Sequence, residues 1–294
     1  QHRGPDEGSL HLEPGLGFGH RRLSIIDIAT GQQPLFNEDG TVVIVFNGEI
    51  YNYQPLMAEL QALGYKFHTK SDTEVIVHAW EAWGADCVKR LRGMFAFTIW
   101  DRKQQTLFMA RDRLGVKPMY YAELDDGQLL FGSELKSLMA HPGLKREIDP
   151  LAVEEYFALG YVAEPRTIFR QAKKLPPGTS LAIRRGERVG EPRRYWDVRF
   201  TLDAKIGDEE ACEQLRARLQ ESIRLRMIAE VPLGAFLSGG VDSSAVVALM
   251  AGQSAEAVNT CSIAFEDPAF NEAAFAQTVA DRYRTNHRVE TVQS

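Results

Sequence analysis

The feature that most constrains the fold is a seven-residue loop, Ser238-Gly239-Gly240-Val241-Asp242-Ser243-Ser244, between an apolar run at residues 231–237 and a helical pattern at residues 244–251. Strand, tight glycine turn and helix in direct succession mark a parallel α/β unit. The flanking sequence continues the alternation. Residues 257–265 read as another strand, and a further helix opens near Glu272. Ahead of the loop, Ala211, Leu215, Leu219 and Ile223 recur every four residues after the acidic start Asp208-Glu209-Glu210, which gives one apolar stripe on a helix.

The loop also has a chemistry. Two glycines let the backbone approach an anion, and the free amides at a helix start point at it. Ser238, Ser243 and Ser244 add hydroxyl donors, and Asp242 can hold a magnesium ion that bridges phosphates. No lysine stands where a Walker A loop needs one, and no G-x-G-x-x-G is present. The loop therefore suits a pyrophosphate better than a transferred γ-phosphoryl group. The plain alternative is a Ser/Gly turn. As a whole the motif resembles the PP-loop of ATP pyrophosphatases, which cleave ATP between its α and β phosphates. That resemblance implies an adenine-nucleotide α-hydrolase-like domain in which Leu237 and Ile263 flank the base and ribose. Read from sequence alone, those two residues are equally well core aliphatics.

The first two-thirds of the chain has another texture. β-rich runs at residues 41–46, 94–100, 106–110, 119–124 and 128–131 are separated by turns such as Asp125-Asp126-Gly127. Helical patterns occupy residues 53–63, 73–91 and 150–159, the last behind Asp149 as a cap. Residues 174–196 are rich in Pro and Gly and hold one further strand, 180–183. This predicts an α+β layered domain and a boundary near residue 200, giving domains 1–200 and 201–294. A length of 294 residues accommodates two domains.

Composition removes several classes. At 44% hydrophobic and 25% charged the chain is an ordinary globular sequence. A net charge of −6 argues against general nucleic-acid binding. No apolar run approaches the ~20 residues of a membrane span. Cys87, Cys212 and Cys261 are too scattered for a disulfide framework or a metal knuckle and suit a reducing, cytoplasmic setting. The seven histidines show no metal spacing.

Within the first domain, Arg22-Leu23-Ser24-Ile25-Ile26-Asp27, Asn47-Gly48-Glu49-Ile50-Tyr51-Asn52 and Ser71-Asp72-Thr73-Glu74 combine complementary chemistries. An arginine is the usual bidentate partner of a carboxylate, and acidic groups suit a cationic amine. An Asn amide beside a glycine N–H can form an oxyanion hole. Each has a plain counterpart: a surface charge, a turn, a helix cap.

With Arg3-Gly4-Pro5-Asp6, Gly93–Phe97 and Arg111–Pro118, these segments stand in the order seen in class II glutamine amidotransferases. Followed by the PP-loop, the whole chain resembles the glutamine-hydrolysing asparagine synthetases, and its wording is similar to the subgroup tied to exosortase and exopolysaccharide clusters. The resemblance implies an N-terminal-nucleophile αββα sandwich ahead of the α/β PP-loop domain. Arg22 would take the glutamine α-carboxylate, with Leu23, Ser24, Ile25 and Ile26 beside it. Glu49 and Asp72 would take the α-amino group, and Asn47 and Gly48 the oxyanion. ATP would lie on Leu237, Ser238, Gly239, Gly240, Asp242, Ser243, Ser244 and Ile263, with magnesium on Asp242. The implied partners are glutamine, ATP and aspartate, and a homodimer. The Arg3–Asp6 and Arg111–Pro118 segments read as structural.

The family nucleophile is an N-terminal cysteine whose α-amine acts as base. Residue 1 here is Gln, and the later acceptor pocket of the family is absent. The expectation is a piece of a longer protein, inactive as a glutaminase by itself. Two other functions use the same parts: amidation of another carboxylate in exopolysaccharide synthesis, and a non-catalytic module that binds glutamine or nucleotide.

Overall fold

A computed structural model describes residues 2–201 and 206–292. Gln1 and Ser294, on which the expectation of a longer chain turns, lie outside the described residues. The chain divides into two compact units, Gln1–Arg199 and Phe200–Ser294.

The first unit opens with an antiparallel hairpin, β1 (Glu7–Glu13) and β2 (Leu16–Arg22). Then come β3 (Leu35–Phe36), β4 (Val42–Ile50), α1 (Tyr53–Ala62), α2 (Asp72–Trp83), β5 (Gly93–Asp101), β6 (Thr106–Arg111), β7 (Tyr120–Glu123) and β8 (Leu129–Gly132). α3 (Leu135–Met139), α4 (Pro150–Leu159), β9 (Ala172–Lys174), β10 (Thr179–Arg184) and β11 (Arg193–Arg194) complete it. The main sheet has the order β11-β10-β6-β5-β4-β3, and a second sheet the order β8-β7-β9.

The layering follows from the sequence of the central strands. Val42–Phe46 and, apart from Thr98, Phe95–Trp100 are apolar on both faces, so both faces of the main sheet must be covered. On one face Phe97 and Phe108 pack toward α2, where Trp80 lies 4.8 Å from the Phe108 ring. On the other, Val43, Val45 and Trp100 meet Phe18 of the hairpin, while Ala96 and Met109 meet Met119 and Tyr121 beside the second sheet. α3 packs on β8, with Leu138 buried among Ala122, Leu124 and Ala172. Helices, sheet, sheet and helix give the αββα sandwich.

Four local differences from the sequence reading have physical causes. The helix expected over 73–91 ends at Trp83, because Gly84 turns to φ +55, and residues 84–89 continue as 3-10 helix. The strand expected over 41–46 runs on to Ile50, since Asn47–Ile50 stay paired with Gly93–Ala96. The β1–β2 hairpin hides in a polar segment because only Phe18 and Arg22 of β2 are buried. α3 is too short to show a period.

The second unit contains α5 (Asp208–Arg226), β12 (Gly234–Phe236), α6 (Val241–Ala251), β13 (Asn259–Phe265), α7 (Ala273–Tyr283) and β14 (Asn286–Val292). Its strands are parallel in the order β12-β13-β14. Leu237, Val247, Ala276 and Ala280 form its core. α6 begins at Val241 rather than Ser244, with Gly240 as its N-cap, so Asp242, Ser243 and Ser244 lie in its first turn. Of the expected stripe on α5 only Ile223 is buried, and Leu215 remains 59% exposed. Among the described residues no helix is long and apolar enough to cross a membrane.

Candidate functional site

A cavity of about 720 Å³ opens in the first unit, and its wall brings together Arg22, Leu23, Ile25, Ile26, Asn47, Gly48, Glu49 and Asp72 from the sequence-predicted set. Ser24 is not on that wall. Its N–H donates to the Asp6 carboxylate at 2.8 Å, which ties the loop to the Arg3–Asp6 segment.

β4 explains why the oxyanion candidates sit here. Beyond Ile44, β4 no longer pairs with β3, so one edge is open. On that edge the groups of even-numbered residues point outward. The Phe46 N–H donates to Gln33 Oε1 at 2.6 Å, and the Ile50 N–H donates to Asp72 Oδ2 at 2.9 Å. Gly48 lies midway with the same parity, so its N–H points to the same edge. Only glycine fits there: at φ +155 a Cβ would overlap the Met94 carbonyl oxygen and lie 2.8 Å from Phe95 Cα. Asn47, of opposite parity, turns toward the second sheet, where its Nδ2 lies 3.5 Å from Ser133 Oγ. The pair belongs to a strand, and the turn reading of Asn47-Gly48 is corrected accordingly.

Asp72 is 5% exposed and is not the helix cap. Ser71 caps α2 by accepting the Thr73 N–H at 3.1 Å. Burial pushes the Asp72 carboxyl up to about 7, and the neighbouring Glu49 charge adds to the rise. A cation placed beside these two acids would therefore bind favourably. Glu74, two residues on, behaves oppositely. Although burial opposes ionisation, His78 and donors from His68 and Thr69 hold its carboxyl at about 2. Burial likewise opposes a charged His78, yet Glu74 and Glu81 raise it to about 9. Glu38 also comes near His78 and Glu81.

Arg22 ends β2 on its inward row and is buried. Its Nη1 donates to Ile28 O at 3.3 Å and to Glu7 Oε2 at 3.4 Å; its Nη2 donates to Ile26 O at 3.2 Å and to Asp27 O at 2.7 Å. The loop it opens thus curls around its own guanidinium. Gly31 makes this approach feasible, since a Cβ there would lie 2.6 Å from Arg22 Nη2. His20 and Gly31 also line the cavity and carried no signal in the sequence. His20 Nε2 donates to Phe46 O at 3.0 Å, and burial lowers its pKa, so the ring is neutral.

The second unit has a smaller cavity of about 270 Å³, lined by Leu237, Ser238, Ser243 and Ile263 of the predicted set together with Cys261 and Glu272. Gly239, Gly240, Asp242 and Ser244 lie off that wall, in the adjoining loop and helix start. Gly239 has φ +82, and a Cβ there would lie 2.5 Å from Phe275 Cβ. Ser238 and Ser243 hydroxyls lie 3.0 Å apart, and the Ser244 Oγ is buried without a partner. Leu237 belongs to the core, whereas Ile263 is 52% exposed. Glycine curvature, first-turn amides and a spare hydroxyl fit a phosphate chain. Asp242 adds one carboxylate, which fits a magnesium ion already held by phosphate oxygens.

Arg111–Pro118 is an internal brace. The Asp112 carboxylate accepts from the N–H groups of Phe95, Leu114, Val116 and Lys117, and Arg111 donates to Gly115 O, Lys117 O and Leu175 O. Cys87 is buried and its thiol is pushed up to about 12, which makes it inert at neutral pH.

Comparison with known proteins matches two stretches of the chain to two families. Residues 1–196 match the glutamine amidotransferase domain family, and residues 214–294 the asparagine synthase family. Glutamine-hydrolysing asparagine synthetase 1 of Bacillus subtilis is 40% identical over 279 residues, which are 95% of this chain and 43% of that protein. Asparagine synthetase 3 of the same organism is 39% identical over 93% of this chain and 45% of its own length. A putative asparagine synthetase of Methanocaldococcus jannaschii is 36% identical over 98% of this chain and 59% of its own. This chain spans about half the length of the curated relatives it matches. It belongs to the glutamine amidotransferase domain family, and the stretch after that domain matches the asparagine synthase family.

Proposed function

We propose that this chain is the donor half and the start of the acceptor half of a glutamine-dependent asparagine synthetase. Residues 1–200 form the glutamine pocket, in which the full-length protein hydrolyses glutamine with the family's N-terminal cysteine, and residues 201–294 begin the ATP site. The observation that carries the proposal is the meeting of one cation, two acids and two oxyanion donors in one cavity. Arg22 takes the α-carboxylate, with Leu23, Ser24, Ile25 and Ile26 as the loop that presents it. Glu49 and Asp72 take the α-ammonium. The Asn47 amide and Gly48 N–H receive the negative charge that develops on the amide oxygen as the family's cysteine attacks. Hydrolysis yields glutamate and ammonia.

On the nucleotide side, Ser238, Gly239, Gly240, Ser243 and Ser244 cradle the β and γ phosphates of ATP. Leu237 and Ile263 flank the base and ribose, and Asp242 is the residue that would hold a magnesium ion to neutralise phosphate charge. An aspartate carboxylate oxygen attacks the α phosphorus, pyrophosphate leaves, and ammonia displaces AMP to give asparagine. Three unpaired thiols support a cytoplasmic setting. A homodimer rests on the family resemblance and is read by sedimentation.

The test is pyrophosphate release by the full-length protein with ATP, glutamine and a panel of carboxylate acceptors. Release that depends on aspartate is expected. Release with a sugar acid and none with aspartate would replace asparagine synthesis with the exopolysaccharide reading. No release with any acceptor would favour a non-catalytic module.

A further inference from the structure

We infer that Asp27 is a positioning residue that sets the span between the carboxylate-binding and amine-binding ends of the glutamine pocket, an inference that rests on the glutamine reading above. Asp27 is 7% exposed and does not line the cavity. Its side chain and its backbone do different things. The carboxylate accepts the Thr30 N–H at 3.1 Å, the Thr30 hydroxyl at 2.6 Å and the Lys70 N–H at 2.8 Å. The last bond crosses 43 residues of sequence and lands two positions before Asp72. The backbone carbonyl accepts from Arg22 Nη2 at 2.7 Å and from the Gly31 N–H at 3.0 Å. One residue therefore holds the guanidinium through its main chain and the segment leading to Asp72 through its side chain.

Two further observations show that the arrangement is specified. Asp27 has φ +50, a conformation that aspartate and asparagine tolerate better than most residues. Burial opposes ionisation of Asp27, yet the donors from Thr30 and Lys70 and the Arg22 charge hold its carboxyl below the usual range. It is thus a carboxylate at neutral pH, with several donors already committed to it. An α-amino acid presents its two charges at a fixed separation. A strut between their receptors therefore contributes to binding without touching the reacting amide.

The experiment uses the full-length protein and reads steady-state glutaminase kinetics for four variants. Asp27→Gly keeps the backbone conformation and deletes the acceptors. It should raise KM for glutamine roughly ten- to hundredfold, with kcat within about threefold. Asp27→Asn keeps one acceptor oxygen and should fall between. Thr30→Val removes a single contact and should give a small rise in KM; it also serves if Asp27→Gly does not fold. Arg22→Ala reports on the pocket itself and should raise KM at least as much as Asp27→Gly. If Arg22→Ala raises KM but the folded Asp27 and Thr30 variants do not, Asp27 only stabilises the loop and the inference is wrong. If Arg22→Ala leaves KM unchanged, the glutamine reading of the cavity fails, and the inference with it.

Discussion

The two candidate sites are built from opposite materials. In the first unit, charged side chains are buried and pre-bonded: Arg22 among loop carbonyls, Asp72 on the Ile50 N–H, Asp27 on Thr30 and Lys70. In the second, the anion receptor is backbone, a glycine turn opening into a helix whose first amides lack intrahelical partners. A pocket of side chains selects by charge geometry and titrates with pH. A pocket of backbone amides tolerates changes in side chain but not in curvature.

The largest effect that would break or sharpen this contrast concerns the oxyanion donors. Asn47→Ala in the full-length protein should lower glutamine-dependent turnover by on the order of a hundredfold or more. Synthesis from added ammonia should stay near the parent rate. An equal loss in both assays would mean that the units do not divide the chemistry.

Next is curvature. Gly239→Ala places a Cβ against Phe275 at a φ that L residues avoid. A strain of about 1–3 kcal/mol should weaken ATP binding by roughly ten- to hundredfold in calorimetry, with glutaminase kinetics unaltered. Ser238→Ala, which removes one hydroxyl, should cost far less. The reverse ranking would contradict a backbone receptor.

The acid pair gives a smaller, pH-dependent effect. Because Asp72 titrates near 7 in this fold, an ammonium must meet it as the carboxylate. KM for glutamine should therefore climb as pH falls below about 7, by up to about tenfold per unit. Asp72→Asn should raise KM at neutral pH and flatten that slope. A parent KM independent of pH between 5.5 and 8 would sink the pairing of Asp72 with the amine.

The smallest effect lies outside the cavity. His78 is raised from 6.5 to about 9 in the folded chain, so its contribution to stability is full below pH 6.5 and is lost as pH rises through 9. The melting temperature of the parent should lose roughly a few degrees between pH 7 and 10 relative to His78→Gln. Parallel curves for the two proteins would show that the Glu74–His78–Glu81 cluster contributes nothing net.

These differences also explain what could be read from the sequence. The PP-loop was legible because its elements are contiguous: strand, glycines, serines and helix lie within a dozen residues. Asn47-Gly48 was legible as a chemical pair, yet its strand context was not, because polar residues at an open sheet edge look like a turn. Asp72 was legible as an acid for the amine, yet its burial was not, because that depends on β4 lying across from it. Asp27 and His20 were silent because their roles depend on partners distant in sequence, Lys70 and Phe46, and Gly31 because its close approach to Arg22 shows only once the loop is curled. The α5 stripe shows the converse, a clear period whose face stays largely exposed within the described residues.

The most direct test of the divided chemistry follows the nitrogen atom. The full-length protein would be given ATP, aspartate and glutamine isotopically labelled at the amide, alone or beside unlabelled ammonia, and the asparagine product read by mass spectrometry. The account predicts label in the asparagine amide for the parent, and unlabelled asparagine made from ammonia by Arg22→Ala. Equal incorporation of glutamine nitrogen by the parent and Arg22→Ala would contradict it.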